Sequence, residues 1–441
     1  MSDVTVIGLM VAAFILLLLA GYYIHSVLLV AGIGGLVLLD GMDILVGLLG
    51  PQPFARTAAY TLTTIPLFVL MAQFILQADI VKDLFYVVNR ISRGSTGVLG
   101  SLTLVAGAML GAVSGSGTAT AASLGQVAVP ELKANGYPAP LAGAVAAAAG
   151  SLSGIIPPSI ILILYGVATE TPVGDLFVAA IIPGILVTLV FIGVMVFYLA
   201  RSGTDAAELR VAAAAAAPDA PKISRVRLMV SMTVSALIVV VVFGGIYSGA
   251  VTPTEAGAVG AFAGFLAALV LGKVSLRFMR VSLTETVKVT VMVMLILIGA
   301  QVFGRFVSLS LIPRRLIEFL EPVVATPALM LAILAVVFFV LFMFIEGAAV
   351  ILMSVPVVLP IIDAMGTDVL WFGVFIAVIA SVGLITPPVG LSVYAVSGAA
   401  GISSDAIFRY ATVFAAVAAL VVCGLMVAFP AVATWLPGLA G

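Results

Sequence analysis

Two pairs of motifs in this sequence combine hydroxyl or carboxyl side chains with residues that interrupt a helix. The first pair is Ser114-Gly115-Ser116-Gly117-Thr118 and Glu346-Gly347-Ala348. The second pair is Gly154-Ile155-Ile156-Pro157-Pro158-Ser159 and Gly383-Leu384-Ile385-Thr386-Pro387-Pro388-Val389-Gly390. Hydroxyls and carbonyls freed by a helix break are ligands for hard cations such as sodium, and positive helix N-termini favour anions. These motifs therefore indicate ion and anion binding.

The two members of each pair are copies of one another. The second copy follows the first after 230 residues without a gap, and several glycines, prolines and acids keep this offset. They include Gly117 with Gly347, Pro130 with Pro360, Pro157-Pro158 with Pro387-Pro388, and Asp175 with Asp405. Apolar identities could arise by chance in a chain this hydrophobic, but this set indicates an internal duplication.

Composition indicates an all-α polytopic membrane protein. The 441 residues have a mean hydropathy of +1.36 and only 8% charged side chains, against about 25% in soluble domains. Long apolar runs argue against a transmembrane β-barrel. The net charge of −1 gives no indication of nucleic-acid binding, and one cysteine with one histidine excludes intrachain disulfides and His/Cys metal clusters. We expect no cofactor other than coupling ions.

Two charge-free stretches are too long to be single upright helices. Residues 94–130 would span about 55 Å as one helix, nearly twice the hydrocarbon core, and basic residues flank both ends. A re-entrant hairpin with its tip at Ser114–Thr118 fits both facts. Residues 134–169 predict a second helix broken at Gly154 and Pro157-Pro158. The second half repeats this plan, with hairpin tip Glu346-Gly347 and a break at Gly383 to Pro388.

The charges also predict domains and orientation. The predicted segments are scaffold helices 1–80, an interfacial arm 81–94, a transport half 95–199, a cytoplasmic linker 200–227, scaffold helices 228–304, a second arm 305–322 and a second transport half 323–436. With both termini external, fourteen of the 18 basic residues lie on the cytoplasmic side. This arrangement makes the two repeats inverted relative to each other.

The motifs give a set of candidate sodium- and substrate-binding residues, with no catalytic residues. The set is Ser114, Gly115, Ser116, Gly117, Thr118, Thr120, Gly154, Pro157, Pro158, Ser159, Glu346, Gly347, Ala348, Gly383, Thr386, Pro387, Pro388 and Gly390, with Ser153 and Ser381 as weaker candidates. Structural alternatives remain open for each motif. The first tip could belong to a small-residue packing motif, since Gly107, Gly111 and Gly115 are spaced for close helix contact. The prolines could form a simple kink, and Glu346 could cap local backbone amides. Gln301 is expected to bond between helices and Arg305 to snorkel.

Further motifs give the chain a family resemblance. They are Pro130-Glu131, Gly136-Tyr137, Leu164-Tyr165-Gly166, Leu176-Phe177, Pro183-Gly184 and Thr252-Pro253-Thr254-Glu255-Ala256, with the Ser-Gly and Pro-Pro motifs above. Together they resemble the large membrane subunit of tripartite ATP-independent periplasmic (TRAP) transporters over nearly the whole chain. Some members of that family have an aspartate where Thr120 stands, so their ion-binding details do not carry over automatically.

The resemblance implies a sodium-coupled importer of an organic acid, such as a C4-dicarboxylate or sialic acid. It implies a bacterial or archaeal cytoplasmic membrane, a periplasmic substrate-binding protein and a small four-helix membrane subunit as partners. It also implies an elevator mechanism, in which a mobile transport domain moves against a scaffold. The sequence does not identify the acid.

Three other functions compete with this one. A stand-alone sodium-coupled dicarboxylate carrier of the same fold would need no binding protein, and the Thr252–Ala256 and Pro130–Tyr137 motifs favour the tripartite family instead. An intramembrane enzyme would need a nucleophile–base pair or metal ligands, which the composition argues against. A passive channel would not need inverted broken helices.

Overall fold

The chain folds as two successive sets of helices. The computed structural model describes residues 3–43, 45, 47, 57–92, 95–114, 116–201, 224–319 and 326–440. The helices of the first half are α1 (Asp3–Leu19), α2 (Ile24–Asp40), α3 (Thr64–Gln77), α4 (Ile80–Ser92), α5 (Thr96–Ser114), α6 (Gly117–Ala134), α7 (Ala139–Ser151), α8 (Ile160–Thr169), α9 (Val173–Ala179) and α10 (Ile181–Arg201). Most of the predicted linker 200–227 lies outside the described residues.

The second half repeats the hairpin and the broken helix of the first. Its helices are α11 (Arg225–Val239), α12 (Pro253–Val270), α13 (Leu276–Leu309), α14 (Ile312–Phe319), α15 (Pro327–Phe344), α16 (Gly347–Ala364), α17 (Val369–Gly383), α18 (Leu391–Ala400), α19 (Ser404–Ala418), α20 (Gly424–Ala428) and α21 (Ala431–Ala440). Hairpins α5–α6 and α15–α16 correspond to each other, as do broken helices α7–α8 and α17–α18. Helix α21 was not predicted.

The described residues confirm an all-α membrane fold. Seven of their helices are both long enough and apolar enough to cross a membrane, and helical hydrogen bonds satisfy the backbone within them. The hairpin helices and the broken helices also lie where the charge-free runs predicted them. The opposite orientation of the two repeats in the membrane stays a prediction from the distribution of basic residues.

Small side chains let the first hairpin lie directly on the broken helix of its own repeat. A Cβ atom added at Gly107 would lie 2.4 Å from the Ala149 Cβ, and one added at Gly111 would lie 2.8 Å from the Ser153 Cα. Such close approach between helices is a main source of attraction inside a bilayer, where apolar burial alone gives little. The spacing of these glycines therefore packs α5 against α7.

The arm helix α4 is bonded to the predicted scaffold at its beginning. The side chain of Asp83 is fully buried, and both of its oxygens lie 2.9 Å from the Nε of Arg227. The Ser231 hydroxyl donates to the same carboxylate at 2.6 Å. Both partners belong to α11. The start of this amphipathic helix is thus held in two ways, by the apolar stripe on its surface and by the buried ion pair of Asp83 with Arg227.

A second carboxylate just before α4 strengthens this attachment. Asp79 accepts from Lys273 and Lys82, at 2.8 Å and 2.7 Å. Burial raises the pKa of the Asp79 carboxyl, but the hydrogen bonds from Lys273 and Lys82 outweigh it and hold the pKa below its ordinary value. These pairs therefore stabilise the fold at neutral pH, and the contribution is lost only as the pH falls below about 4.

The end of α4 is bonded to the first hairpin instead. The Asn89 side-chain amide donates to a Glu131 carboxylate oxygen on α6 at 2.6 Å. Glu131 belongs to a motif that carried the family resemblance, and this bond gives it a structural role. Helix α4 thus bridges α11 and hairpin α5–α6.

Replacing Asp83 with Asn should destabilise the protein strongly. The change removes the charge partner of Arg227 inside a packed interface, which costs on the order of 3 kcal/mol. Thermal unfolding of the purified protein measures the loss. Glu285→Gln is the matched control, because its pair with Lys288 is largely exposed and should contribute less than about 0.5 kcal/mol. Equal effects of the two changes would contradict a special role for the buried pair.

Candidate ion and substrate site

The tip of the first hairpin is a capped helix N-terminus. Helix α5 ends at Ser114 and α6 begins at Gly117, with Ser116 as its N-cap. The Ser116 hydroxyl accepts from the Ala119 N–H at 3.4 Å and lies 3.3 Å from the Thr118 hydroxyl. Gly115 and the side chain of Ser114 fall outside the described residues. The tip therefore presents hydroxyls and the positive end of α6 together.

The tip of the second hairpin is built the same way with a different residue. Glu346 occupies the position equivalent to Ser116 and is the N-cap of α16, accepting from the Ala348 N–H at 2.9 Å. Its side chain is exposed on the surface of the chain, whereas Gly347 and Ala348 are buried. The structure thus shows the capping role that the sequence left as the alternative for Glu346.

Both broken helices are interrupted at their proline pairs. The Pro157–Pro158 and Pro387–Pro388 peptide bonds are both cis. In the first break, the buried Ser159 hydroxyl donates to the Gly154 carbonyl at 2.7 Å and caps α8 by accepting from the Leu162 N–H. In the second, the Thr386 hydroxyl donates to the Val382 carbonyl at 2.7 Å. Hydroxyls next to the prolines therefore satisfy carbonyls that the breaks expose.

Gly390 serves the backbone of the second break. It has a φ of 47° and is the N-cap of α18. A Cβ there would lie 2.5 Å from the Phe408 ring and 3.0 Å from the Thr386 carbonyl oxygen. Both the left-handed conformation and the lack of space require glycine at this position.

The hairpin tips and the breaks meet in one region. A Cβ added at Gly117 would lie 3.0 Å from the Leu384 Cδ1 and 3.3 Å from the Ser153 Oγ, so the first tip touches both breaks. A Cβ at Gly347 would lie 2.8 Å from Ile161 at the start of α8. The N-terminus of α16 thus lies against the start of α8, and the N-terminus of α6 lies against both breaks. The positive ends of these helices favour a negative ligand.

The two breaks also contact each other through buried hydroxyls. A Cβ added at Gly154 would lie 2.8 Å from the Ser381 Oγ. Ser381 and Ser392 are fully buried, and neither hydroxyl has a hydrogen-bond partner among the residues described. A buried hydroxyl without a partner costs free energy that a bound ion would recover. The sequence did not predict Ser392, because it lies inside the helix that follows the break and not in the proline motif itself.

The remaining candidate, Thr120, lies inside the first hairpin. Its side chain is almost completely buried in α6, and its N–H donates to the Ser116 carbonyl at 3.1 Å. Gly383 lies against hairpin α15–α16 instead, since a Cβ there would be 2.5 Å from the Phe342 Cβ. Gly383 is therefore a packing position, while Thr120 stands one turn from the tip.

A separate cavity lies away from these residues. Its volume is about 1170 Å³, and none of the candidate residues from the sequence lines it. Its walls come from the beginnings of α3 and α12, the α8–α9 turn, and parts of α13 and α16. Gln301 and Arg305 line it, along with the Thr252–Thr254 motif. The Thr252–Thr254 motif, Gln301 and Arg305 were each noted in the sequence. Their positions in the chain do not predict that they line one cavity, because only folding brings such distant residues together.

Comparison with known proteins agrees with the family resemblance of the sequence motifs. The family model described as "Tripartite ATP-independent periplasmic transporter, DctM component" matches residues 11–432. The C4-dicarboxylate TRAP transporter large permease protein DctM of Pseudomonas aeruginosa is 32% identical over 362 residues, covering 81% of this chain and 82% of that protein. The sialic acid TRAP transporter large permease protein SiaM of Vibrio cholerae is 31% identical, covering 77% of each chain.

A solved structure supports the fold alone. The YdaH transporter of Alcanivorax borkumensis, described as having an unusual topology, superposes with a TM-score of 0.65. The match covers 92% of this chain and 97% of that one at 15% identity. At this identity the likeness concerns the arrangement of helices and not the ligand.

The two breaks should respond differently to loss of a hydroxyl. Ser159→Ala leaves the Gly154 carbonyl without its partner and should destabilise the protein by about 1–3 kcal/mol. Ser381→Ala removes a hydroxyl that has no partner in the described structure and should change stability by less than about 0.5 kcal/mol. Thermal unfolding in sodium-free buffer measures both. A larger loss for Ser381→Ala than for Ser159→Ala would show that Ser381 has an essential protein partner.

Proposed function

The chain belongs to the DctM family of tripartite ATP-independent periplasmic transporters, and from this we propose that it imports a small organic acid using a sodium gradient. TRAP-type transport follows from the family itself. The family also implies a small membrane subunit and a periplasmic binding protein as partners. The relatives are named as transporter permeases, which agrees with a protein that is not an enzyme.

The meeting of the hairpin tips and helix breaks carries this proposal. Each tip places a helix N-terminus against a broken helix, hydroxyls lie beside these contacts, and neither tip motif contains a basic residue. Positive helix ends are suited to a carboxylate, and carbonyls and hydroxyls are suited to sodium. The relatives named for C4-dicarboxylate and sialic acid support a carboxylate as the substrate.

We place one sodium site where the two breaks cross. The Ser381 hydroxyl lies beside Gly154, whose carbonyl accepts from Ser159. Neither Ser381 nor the buried Ser392, the second candidate ligand, has a hydroxyl partner among the described residues. A sodium ion there would satisfy groups that are otherwise left unpaired in a low-dielectric region. The hydroxyls of Ser116 and Thr118 at the first tip are the candidates for a second site, which gives at least two ions per cycle.

We further propose an elevator movement in a cytoplasmic membrane, with both termini external. The site is shared between hairpins and broken helices that pack on one another, so opening it by bending the tips alone would expose backbone to lipid. Moving 95–199 and 323–436 as one body keeps these hydrogen bonds intact. The scaffold would then be 1–80 and 228–304, with α4 and α14 as the connecting arms.

Uptake should require sodium and should depend on Ser381. We expect proteoliposomes with the small subunit and binding protein to accumulate an acid from a panel only with an inward sodium gradient. Ser381→Ala should raise the half-saturating sodium concentration about tenfold, the effect of losing one hydrogen-bonding or coordinating group to a charge. Ser248→Ala is the control, because Ser248 is exposed and bonds only to the Gly245 carbonyl. Equal uptake with potassium would contradict sodium coupling.

The elevator predicts which cross-links stop transport. Gly304 of α13 and Pro356 of α16 approach across the two proposed bodies, since a Cβ at Gly304 would lie 3.3 Å from the Pro356 Cβ. Cysteines at both, in a Cys423→Ala background, should block uptake when oxidised and restore it when reduced, because the disulfide fixes one body to the other.

Two cross-links serve as controls. Cysteines at Gly257 and Leu67 join two scaffold helices, since a Cβ at Gly257 would lie 3.1 Å from the Leu67 Cβ. Cysteines at Gly125 and Ala399 join the two transport halves, with a matching distance of 3.0 Å between the Cβ atoms. Oxidation of either pair should leave uptake near that of the reduced protein. Full activity of the oxidised Gly304–Pro356 pair would rule out the elevator and favour local gating at the tips.

A further inference from the structure

The cavity away from the hairpin tips has two walls that belong to different predicted bodies. One wall is scaffold together with the beginning of the predicted second arm: Tyr60, Thr61 and Thr64 before and in α3, the Thr252–Thr254 segment, Gln301 and Gly304 of α13, and then Arg305 and Ser308 in the range predicted as arm. The other wall is the transport half: the α8–α9 turn with Glu170, and α16 from Leu352 to Pro356. At about 1170 Å³ it has room for a small organic acid with its hydration water.

The cavity carries one cation among its described lining residues. The Arg305 side chain is exposed into this space, and it makes no ion pair with any residue in the described part of the chain. The guanidinium group is planar and fits a carboxylate through two parallel hydrogen bonds. Arg305 lies near the end of a predicted span and faces the cavity. Its side chain is therefore placed to bind an anion as well as to reach the membrane surface.

The beginning of helix α12 also lines this cavity. The 18-residue helix α12 begins in the same wall, with Thr252 as its N-cap in a complete capping box. The carboxylate of Glu255 is engaged by the Thr252 N–H and hydroxyl, at 2.7 Å and 2.8 Å, which holds the beginning of this helix in place. Because the Glu255 carboxylate offsets the positive end of α12, the charge available to an anion in the described lining is that of Arg305.

We infer that this cavity is a vestibule that binds the carboxylate of the incoming acid at Arg305, before the acid reaches the hairpin tips. The inference rests on the proposed function, because it concerns the same substrate. The distribution of basic residues predicts an external position for Arg305. Glu170 on the opposite wall balances the charge of Arg305, so the described lining has no net charge. Such a site holds an anion weakly enough to release it. Because the walls belong to both bodies, movement of one body changes the width of the site.

The vestibule can be tested without measuring transport. The test uses Ser308→Cys, one helical turn from Arg305, in a Cys423→Ala background and with the small subunit in lipid nanodiscs. Two methanethiosulfonate reagents are compared, one carrying a sulfonate and one a trimethylammonium group. Arg305→Gln should lower the ratio of anionic to cationic labelling rates about tenfold, since one nearby charge changes each rate roughly threefold in opposite directions. Arg305→Lys should largely preserve the ratio.

A matched variant controls for net charge. Arg314→Gln removes a predicted external charge that is exposed on α14 and pairs with Glu318, and it should leave the labelling ratio within about twofold. Glu170→Gln should raise the ratio, because it removes the acid from the opposite wall. A ratio unaffected by Arg305→Gln, or lowered as much by Arg314→Gln, would overturn the vestibule.

Uptake then separates the two proposals. In proteoliposomes, Arg305→Gln should raise the KM for the transported acid about tenfold and change kcat by less than about twofold, because the lost contact precedes the transport step. A fall in kcat with unchanged KM would overturn the vestibule while leaving organic-acid transport in place. Absence of uptake for every acid by the unmodified protein, with the labelling ratio still set by Arg305, would instead overturn the proposed function and leave an anion-binding cavity.

Discussion

The need to pair every backbone polar group inside a membrane governs this structure. A chain that interrupts its helices at four places must satisfy the groups that each interruption frees. The protein does so locally, with Ser116 and Glu346 as caps at the hairpin tips and Ser159 and Thr386 on carbonyls at the breaks. Small residues then bring these pieces close enough to cover one another. Ser381 and Ser392 are therefore notable, because their hydroxyls remain unpaired in or next to the breaks among the described residues.

Hairpins and breaks could be predicted from the sequence because their cause is local. A charge-free run longer than a membrane is thick must turn back or break, and proline and glycine mark where. Because the second repeat follows the first at a fixed offset, each feature predicted in the first half also predicted its counterpart in the second half. The packing role of Gly107 and Gly111 could also be predicted, as the alternative to a ligand-binding role for this motif, because their spacing places them on one face of a helix.

Contacts between distant residues could not be predicted in this way. Asp83 pairs with Arg227 across 144 residues, and no periodicity in the sequence links them. The Thr252–Thr254 motif supported only a family resemblance until folding placed it opposite Glu170 and beside Arg305. Glu346 shows a different limit, because the structure supports one of its two predicted roles without testing the other. An acid in an apolar run attracted a functional role, whereas its hydrogen bond to the Ala348 N–H is that of an ordinary cap.

The two equivalent caps differ in charge, and this has an electrical consequence. Ser116 is neutral, while Glu346 at the matching position carries a formal charge when ionised. A duplicated carrier of this kind cannot be electrically symmetric, even though its helices are. Displacing one elementary charge through the full membrane potential changes the energy by about 2.3 kcal/mol per 100 mV. When Glu346 is ionised, the membrane voltage therefore favours displacement of the second tip along the membrane normal in one direction and opposes it in the other. The same displacement of the neutral Ser116 does not respond to the voltage.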